Sequence, residues 1–168
     1  MNMISLFTGI GAFERGLDIA GIQYQLKGFS EIDKYAIESY CAIHDVDKSL
    51  NLGDVSKIRN KDLPTDIDLL TYGFPCQDIS VAGDLKGINS NTRSGLLYEA
   101  ERIIDYIKPK YAIAENVKNL VSKRFKDDFD RLLERLDSYG YNNYWKVLNA
   151  NDYGIPQNRE RVFIVSIR

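Results

Sequence analysis

The chain has 168 residues, 44% of them hydrophobic, which predicts one domain with a sizeable core. Its formal charge of -2 lacks the basic excess of a free-standing nucleic-acid binder, although a local basic patch is compatible with it. Cys41 and Cys76 lack paired spacing, so they indicate neither a disulfide framework nor a zinc site and favour a cytoplasmic setting, and no apolar run approaches the roughly 20 residues of a membrane span.

The first predicted unit is a strand, a glycine turn and a helix. An apolar strand over residues 3–7 leads into Thr8-Gly9-Ile10-Gly11, and helical spacing of apolar residues follows. The next strand, residues 24–29, ends at Glu31, roughly 20 residues past the glycines, which is the spacing of dinucleotide-binding folds. A lone glycine turn is weak evidence, but the two features together favour an adenosine-containing cofactor.

Residues 34–44 have helical spacing, which predicts that Cys41 packs in the core. His44 falls in the last turn of this helix, where we expect a capping role in preference to catalysis. A third short strand is predicted over residues 50–52, just before Asp54. Asp54 is either a helix cap or an acceptor for an adenine amino group, and the sequence leaves both interpretations open.

The centre of the chain is an apolar run that stops at Gly-Phe-Pro-Cys. Residues 68–71 read as a short buried strand, and Pro75 restricts the backbone just before Cys76. The thiol is therefore expected on a loop beyond the carboxyl end of a strand, where open α/β sheets carry their chemistry. A small buried cysteine is the alternative interpretation. The polar, glycine-containing stretch over residues 80–92 is predicted to be a lid or binding loop.

The C-terminal half continues the alternation of helices and strands. Helices are predicted from residue 93 to residue 107 and from residue 125 to residue 136, and the strand between them, residues 111–114, ends just before Glu115. Residues 141–149 and 161–168 read as strands. Arg159 and Arg161 occupy alternate positions, which suits phosphate or a base edge, although solvated charges at a sheet edge have the same pattern. The whole pattern predicts an α/β fold, a doubly wound and mostly parallel sheet with an antiparallel hairpin at one edge.

Taken in order, these features resemble the DNA (cytosine-5) methyltransferases, which use S-adenosylmethionine. The most specific pieces are Gly-Phe-Pro-Cys-Gln at residues 73–77, Glu-Asn-Val at residues 115–117 and Gln-x-Arg-x-Arg at residues 157–161. The resemblance runs from Ile4 to Arg168. It implies the Rossmann-like class I methyltransferase fold, with residues 1–168 forming the catalytic and cofactor-binding domain.

The resemblance also implies a role for each matching residue. Cys76 would be the nucleophile that adds to cytosine, Glu115 would grip the base, and Arg161 and Arg159 would steady the base and its phosphate. The cofactor would contact Phe7, Gly9, Gly11, Glu31, Ile32, Asp54, Val55 and Leu96. The substrate would be double-stranded DNA whose target cytosine is flipped out of the stack.

Family members continue beyond the position of Arg168 with a target-recognition domain and with segments that complete the cofactor pocket. We therefore expect an incomplete fold and a second polypeptide, or a further region, that carries target recognition. One alternative is a truncated, catalytically silent binding or decoy protein. A nucleotide-binding oxidoreductase is a third class that the glycine turn and Glu31 would permit, but the Pro-Cys-Gln and Glu-Asn-Val motifs have no role in it.

Overall fold

The structure is a computed structural model that describes residues 1–75 and 93–168. In this part of the chain six strands and four α-helices alternate. The strands are β1 (Asn2–Leu6), β2 (Gln25–Ser30), β3 (Leu69–Tyr72), β4 (Tyr111–Val117), β5 (Asn142–Asn149) and β6 (Glu160–Ile167). The helices are α1 (Ala12–Ile19), α2 (Lys34–His44), α3 (Leu97–Ile107) and α4 (Lys126–Ser138). Most bounds lie within one or two residues of the predicted elements.

The strands form one sheet in the order β2-β1-β3-β4-β6-β5. The strands β2, β1, β3 and β4 pair with one another in parallel, whereas β6 runs antiparallel to both β4 and β5. The predicted mostly parallel sheet with an antiparallel hairpin at one edge is therefore confirmed.

Helices cover both faces of this sheet. Leu6 of β1 shares its core cluster with residues of α3 and α4. The neighbouring residue Ser5 is in register with Phe29 of β2, whose ring stacks on Tyr40 of α2 at 4.5 Å between centroids. Because successive strand residues point to opposite faces, α2 packs on the face opposite to α3 and α4. The chain is doubly wound, as the alternation of elements predicts.

The predicted third strand over residues 50–52 is wrong. Leu50 is the last residue of a 3₁₀ helix (Lys48–Leu50), whose first turn is capped because the Asp47 carboxylate accepts from the Ser49 amide at 2.7 Å. Sheet pairing is limited to one bridge between Phe29 and Asn51. A longer strand would have to include residues that already belong to the turn that begins at Asp47. Local capping therefore prevails over strand propensity here.

The carboxyl ends of β1, β2, β3 and β4 meet at one edge of the sheet because these strands are parallel. The turn after β1, Glu31, Gly73 and Glu115 all lie at this edge. No helix among the described residues is long and apolar enough to cross a membrane.

Candidate active site

The turn between β1 and α1 has an unusual backbone. Phe7 has φ +56°, Gly9 has φ +55° and Gly11 has φ +86°, all in the left-handed region. Glycine adopts this region freely, whereas a bulky residue such as Phe7 does so at a cost of order 1–3 kcal/mol. Strain of this kind is typical of ligand-binding turns, which agrees with the predicted cofactor turn.

His44 of α2 stabilises this turn through a hydrogen bond. Its Nε2 lies 3.0 Å from the carbonyl oxygen of Ile10, and because a carbonyl only accepts, Nε2 carries the donated proton. A Cβ at Gly11 would collide with the imidazole of His44, so the close approach of α2 requires glycine here. His44 lies in the last helical turn as predicted, and its hydrogen bond goes to another element.

Glu31 ties the turn to the end of β2. Its Oε2 accepts from the Gly9 amide at 2.8 Å, and its Oε1 accepts from the amides of Ile32 at 2.8 Å and Asp33 at 2.9 Å. Two carboxylate oxygens offer about four acceptor sites, so the group retains capacity for a further donor. Ile32 beside it is 73% exposed. The two predicted cofactor residues therefore face accessible space next to the turn.

Asn51, which the sequence did not single out, joins Glu31 to the next loop. Its Oδ1 accepts from the amides of Glu31 at 3.2 Å and Gly53 at 3.0 Å, and its Nδ2 donates to the Glu31 carbonyl at 3.1 Å. These bonds satisfy main-chain groups at a sheet edge where only one bridge forms. The loop that carries Asp54 is thereby placed beside Glu31.

Asp54 caps the short 3₁₀ helix Val55–Lys57. Its Oδ1 accepts from the Ser56 amide at 3.0 Å and from the Ser56 hydroxyl at 2.7 Å. The hydroxyl bond is the largest cause that lowers the pKa of the Asp54 carboxyl. The helix-cap interpretation is therefore confirmed, and the other oxygen, Oδ2, lies 3.4 Å from Lys57 Nζ.

Two other predicted cofactor residues lie largely in the core. Val55 is 3% exposed, so only its main-chain atoms are placed to contact a cofactor. Leu96 ends the 3₁₀ helix Arg93–Leu96 before α3, and its half-buried side chain packs against the main core. Neither residue lines the cavity of about 500 Å³ that is described below.

Glu115 and Arg161 form an ion pair across β4 and β6. Arg161 Nε lies 2.9 Å from Glu115 Oε1, with the side chains 24% and 27% exposed. The strand register explains the contact: Arg161 is in register with Val117, two residues from Glu115 on the same face, which makes them a diagonal pair. Pairing with β6 extends β4 to Val117, three residues past the predicted end at Ala114.

A cavity of about 500 Å³ joins these groups to the turn after β1. Its lining includes Phe7 and Thr8 of the turn together with Glu115, Arg159 and Arg161. Arg159 precedes β6 and is exposed, whereas Arg161 is partly buried. Both arginines thus face one space, as their alternate positions predict. Lining residues that the sequence did not indicate include Phe13, Leu148, Tyr153 and Phe163.

The predicted nucleophile Cys76 and the predicted loop over residues 80–92 lie outside the described residues. The chain just before Cys76 is anchored to β4: Asn116, 3% exposed, donates from Nδ2 to the Phe74 carbonyl at 3.0 Å. A Cβ at Gly73 would lie 3.7 Å from Glu115 Oε2. The segment that enters the Pro-Cys motif is therefore next to Glu115. The Glu-Asn-Val motif indicated Asn116, but the sequence did not indicate that Asn116 would bind the Phe74 carbonyl.

The site fits an adenosine-containing methyl donor. The hydroxyl oxygen of Thr8 is buried at the cavity without a hydrogen-bond partner in residues 1–75 and 93–168, so a polar ligand atom there would satisfy it. The carboxylate of Glu31 has acceptor capacity for a hydroxyl, and Ile32 offers an exposed apolar surface. A turn with an open Gly9, where an added Cβ would meet nothing within 4 Å, admits close approach of a ligand.

The sheet order, with the antiparallel strand β6 between β4 and β5, and a ligand turn after β1 define the class I fold of S-adenosylmethionine-dependent methyltransferases. Residues 1–168 match the family described as C-5 cytosine-specific DNA methylase. The chain belongs to this family. Its membership favours a methyltransferase over the oxidoreductase that the glycine turn alone permits.

Several relatives cover essentially the whole chain. The orphan methyltransferase M.SPRI of Bacillus phage SPR is 46% identical over 100% of this chain and 38% of its own length. The type II methyltransferase M2.ScrFI of Lactococcus lactis subsp. cremoris is 39% identical over 99% of this chain and 61% of its own. The crystal structure of S. pombe Dnmt2 methyltransferase matches with a TM-score of 0.77 and 26% identity, covering 99% of this chain and 50% of that one. The chain therefore spans between 38% and 61% of the length of these proteins.

Proposed function

We propose that this chain is the cofactor-binding and catalytic part of a DNA (cytosine-5) methyltransferase. The observation that carries the proposal is the single cavity of about 500 Å³ that joins the strained turn after β1 to Glu115, Arg159 and Arg161. A methyl donor and a cytosine must approach each other directly for transfer, and one shared cavity suits that requirement. The substrate would be double-stranded DNA.

S-adenosylmethionine, when bound, supplies an electrophilic methyl group on a sulfonium. Glu31 would accept from the ribose hydroxyls, Ile32 would pack on the adenine, and Asp54 would accept from the adenine amino group. Phe7, Gly9 and Gly11 would line the turn, with Leu96 flanking the cofactor and the main chain of Val55 holding the adenine edge. Asp54 already caps a 3₁₀ helix through Oδ1, so Oδ2, 3.4 Å from Lys57 Nζ, would take the adenine contact.

Cys76 would supply the nucleophile. Cytosine carbon 5 is a poor nucleophile, so the Cys76 thiolate first forms a bond to carbon 6 of a flipped cytosine and pushes the electron pair of the ring double bond toward carbon 5. Carbon 5 would then take the methyl group with this electron pair, and the bond between the methyl group and the sulfonium sulfur would break to leave a neutral thioether. Loss of the carbon 5 proton to a base returns an electron pair to the ring and expels the thiolate.

Glu115 and Arg161 would hold the ring during these steps. Glu115 would contact ring nitrogen 3 with a shared proton, and Arg161 would donate to the ring oxygen, so that charge developing on the ring is offset. Their ion pair of 2.9 Å keeps the two groups in a fixed relation before the base arrives. Arg159, exposed at the rim, would contact the phosphate.

Target recognition would come from polypeptide outside residues 1–168, in the same chain or in a second one. The relatives that match the whole chain are much longer, and the formal charge of -2 leaves this part without a basic excess for the DNA backbone. The proposal therefore assigns chemistry to this chain and sequence reading to another region.

A chimera tests the proposal. Residues 1–168 replace the matching segment of the phage SPR relative, and methyl transfer from labelled S-adenosylmethionine to DNA is measured beside the parent relative. We expect transfer by the chimera and by its Cys41→Ser control, and none by Cys76→Ser, with cofactor affinity unchanged in all three. DNA carrying 5-fluorocytosine, which has no carbon 5 proton to lose, should form a covalent adduct unless Cys76 is replaced.

Two outcomes would contradict the proposal. A folded chimera that binds S-adenosylmethionine but transfers no methyl group would favour a catalytically silent protein. Transfer that survives Cys76→Ser would leave the family assignment intact and overturn the proposed nucleophile.

A further inference from the structure

A second cavity, of about 380 Å³, lies between α1, the start of β2 and α2. Its lining includes Glu14 and Asp18 of α1, Tyr24 before β2, and Tyr40 and His44 of α2. It shares no lining residue with the cavity of about 500 Å³ described above. Nothing in the proposed methyl transfer uses these side chains apart from His44, which braces the turn after β1.

Glu14 is the unusual feature of this cavity. Its side chain is 1% exposed, and its Oε1 accepts from the Tyr40 hydroxyl at 2.8 Å. Its Oε2 is buried and has no hydrogen-bond partner in the described part of the chain. Burying a carboxylate oxygen without a partner costs free energy, so buried charges in proteins are normally paired. A donor that enters the cavity would satisfy this oxygen.

The electrostatics of the cavity favour a cation. Asp18 adds a second carboxylate, and the lining contains neither lysine nor arginine. Burial, followed by Asp18 and then Glu14, raises the pKa of the Tyr24 phenol to about 12. Burial and then Glu14 also raise the pKa of Tyr40. Negative charge in the cavity therefore contributes to the raised pKa of both phenols, and an entering cation would neutralise that charge.

Two basic groups beside the cavity, the Met1 ammonium and the His44 imidazole, are hydrogen-bonded to main-chain carbonyls. The Met1 ammonium donates to the main-chain carbonyl of Gln23 at 3.3 Å, not to either carboxylate. In the cavity, the imidazole of His44 uses Nε2 for the Ile10 carbonyl. The two carboxylates are thus left facing the cavity without a basic partner among residues 1–75 and 93–168.

The rest of the lining decides the kind of cation. Ile22, Leu26 and Val46 contribute apolar surface beside the rings of Tyr24 and Tyr40. No group of three or more histidine, cysteine, aspartate or glutamate side chains among the described residues is arranged to hold a metal ion. Carboxylates combined with aromatic and aliphatic surface are the features that recognise an organic cation with an alkyl chain.

We propose that this cavity binds an organic cation, an alkyl guanidinium or alkyl ammonium whose charged head faces Glu14 and Asp18. Its alkyl chain packs against the apolar lining. The cation is either a free small molecule or the side chain of an arginine or lysine in a polypeptide, because both present the same head group and stem. The site is separate from the proposed cofactor pocket and does not depend on methyl transfer.

The test titrates the chain with n-butylguanidinium and follows the ring resonances of Tyr24 and Tyr40 by NMR. The neutral n-butylurea, of nearly equal size, is the matched ligand. Pairing of the guanidinium with a buried carboxylate predicts binding at least about tenfold tighter than that of the urea, a difference of about 1.4 kcal/mol. Glu14→Gln should abolish this preference, and Asp18→Asn, a change at an exposed residue, should weaken it severalfold.

Glu134→Gln, at an exposed position of α4, is the control and should bind as the wild type does. Equal binding of the two ligands, no saturable response of either ring, or an undiminished preference in Glu14→Gln and Asp18→Asn would each overturn the proposal. If Glu14→Gln does not fold, Asp18→Asn alone decides. An arginine-containing tripeptide that binds more tightly than n-butylguanidinium would identify the source as a polypeptide, and weaker binding would identify a free small molecule.

Discussion

Asn116 holds the main chain of Phe74, two residues before Cys76. Its Nδ2 donates to the Phe74 carbonyl at 3.0 Å, while its Oδ1 accepts from the Val117 amide at 2.8 Å. The side chain is 3% exposed, so water does not replace either bond easily. The carboxyl end of β3 is thereby fixed to β4 next to Glu115.

Asn116→Asp should destabilise the fold and impair transfer. The carboxylate cannot donate to the Phe74 carbonyl, which leaves a buried acceptor unpaired at a cost of about 1–3 kcal/mol in the free energy of unfolding. Chemical denaturation measures this loss, with Asn142→Asp, at an exposed position of β5, as the control. In the chimera, transfer should fall at least about tenfold with cofactor affinity nearly unchanged. Equal stability of the two variants would show that the bond from Asn116 to the Phe74 carbonyl contributes little to the free energy of unfolding.

Glu31→Gln should weaken cofactor binding. The amide keeps one acceptor oxygen, so it cannot accept from the three main-chain amides that the carboxylate now joins. Losing a charged hydrogen bond of about 1.5–3 kcal/mol predicts a drop in S-adenosylmethionine affinity of about 10-fold to 100-fold, measured by calorimetry. Glu38→Gln, exposed on α2, should bind normally. Unchanged affinity in Glu31→Gln would remove this residue from the proposed pocket.

Arg161→Lys should separate catalysis from stability. Lysine keeps the charge but loses the planar guanidinium that meets Glu115 through Nε. The pair is partly exposed, so the free energy of unfolding should change by less than about 1 kcal/mol. Misplacement of the base predicts a fall in transfer of about 100-fold in the chimera. Arg131→Lys, on the exposed side of α4, is the control. Parallel losses of stability and transfer would instead indicate a structural role.

Asp68 should make stability sensitive to acid. Its Oδ2 accepts from the Asn2 amide at 2.9 Å and its Oδ1 lies 3.1 Å from Lys110 Nζ. The Asn2 bond, then Lys110, lowers the pKa of the Asp68 carboxyl below its ordinary value of 3.8. The stabilisation is therefore fully present above this ordinary value and is lost as the pH falls through the lowered pKa of the folded state.

Thermal unfolding checks this prediction. Asp68→Asn should lower Tm at neutral pH, and the difference from the wild type should narrow as the pH falls below the ordinary carboxyl pKa of 3.8. Asp152→Asn, at an exposed position, provides the comparison. A Tm difference that stays constant with pH would show that the Asp68 charge does not contribute.

Local sequence predicted most elements because their signals are local. The helix over residues 34–44 has both predicted ends, since Asp33 accepts from the Ala36 amide at 2.8 Å and Asp45 ends it with φ +51°. The predicted third strand was wrong because of another local signal. The helix cap that Asp47 provides competes with the strand preference of the apolar residues Leu50 and Leu52. The end of β4 was misjudged because pairing with β6 extends it.

The sequence by itself determined the family motifs, the alternation of strands and helices, and the position of Phe7, Glu31 and Glu115 after or near strand ends. Only the tertiary structure decided which of these groups meet. The ion pair of Glu115 with Arg161, the bridge of Asn51 to Glu31 and the buried contact of Glu14 with Tyr40 each join separate elements. Periodicity and capping act over a few residues, whereas these contacts depend on strand register and on the faces that packed helices present.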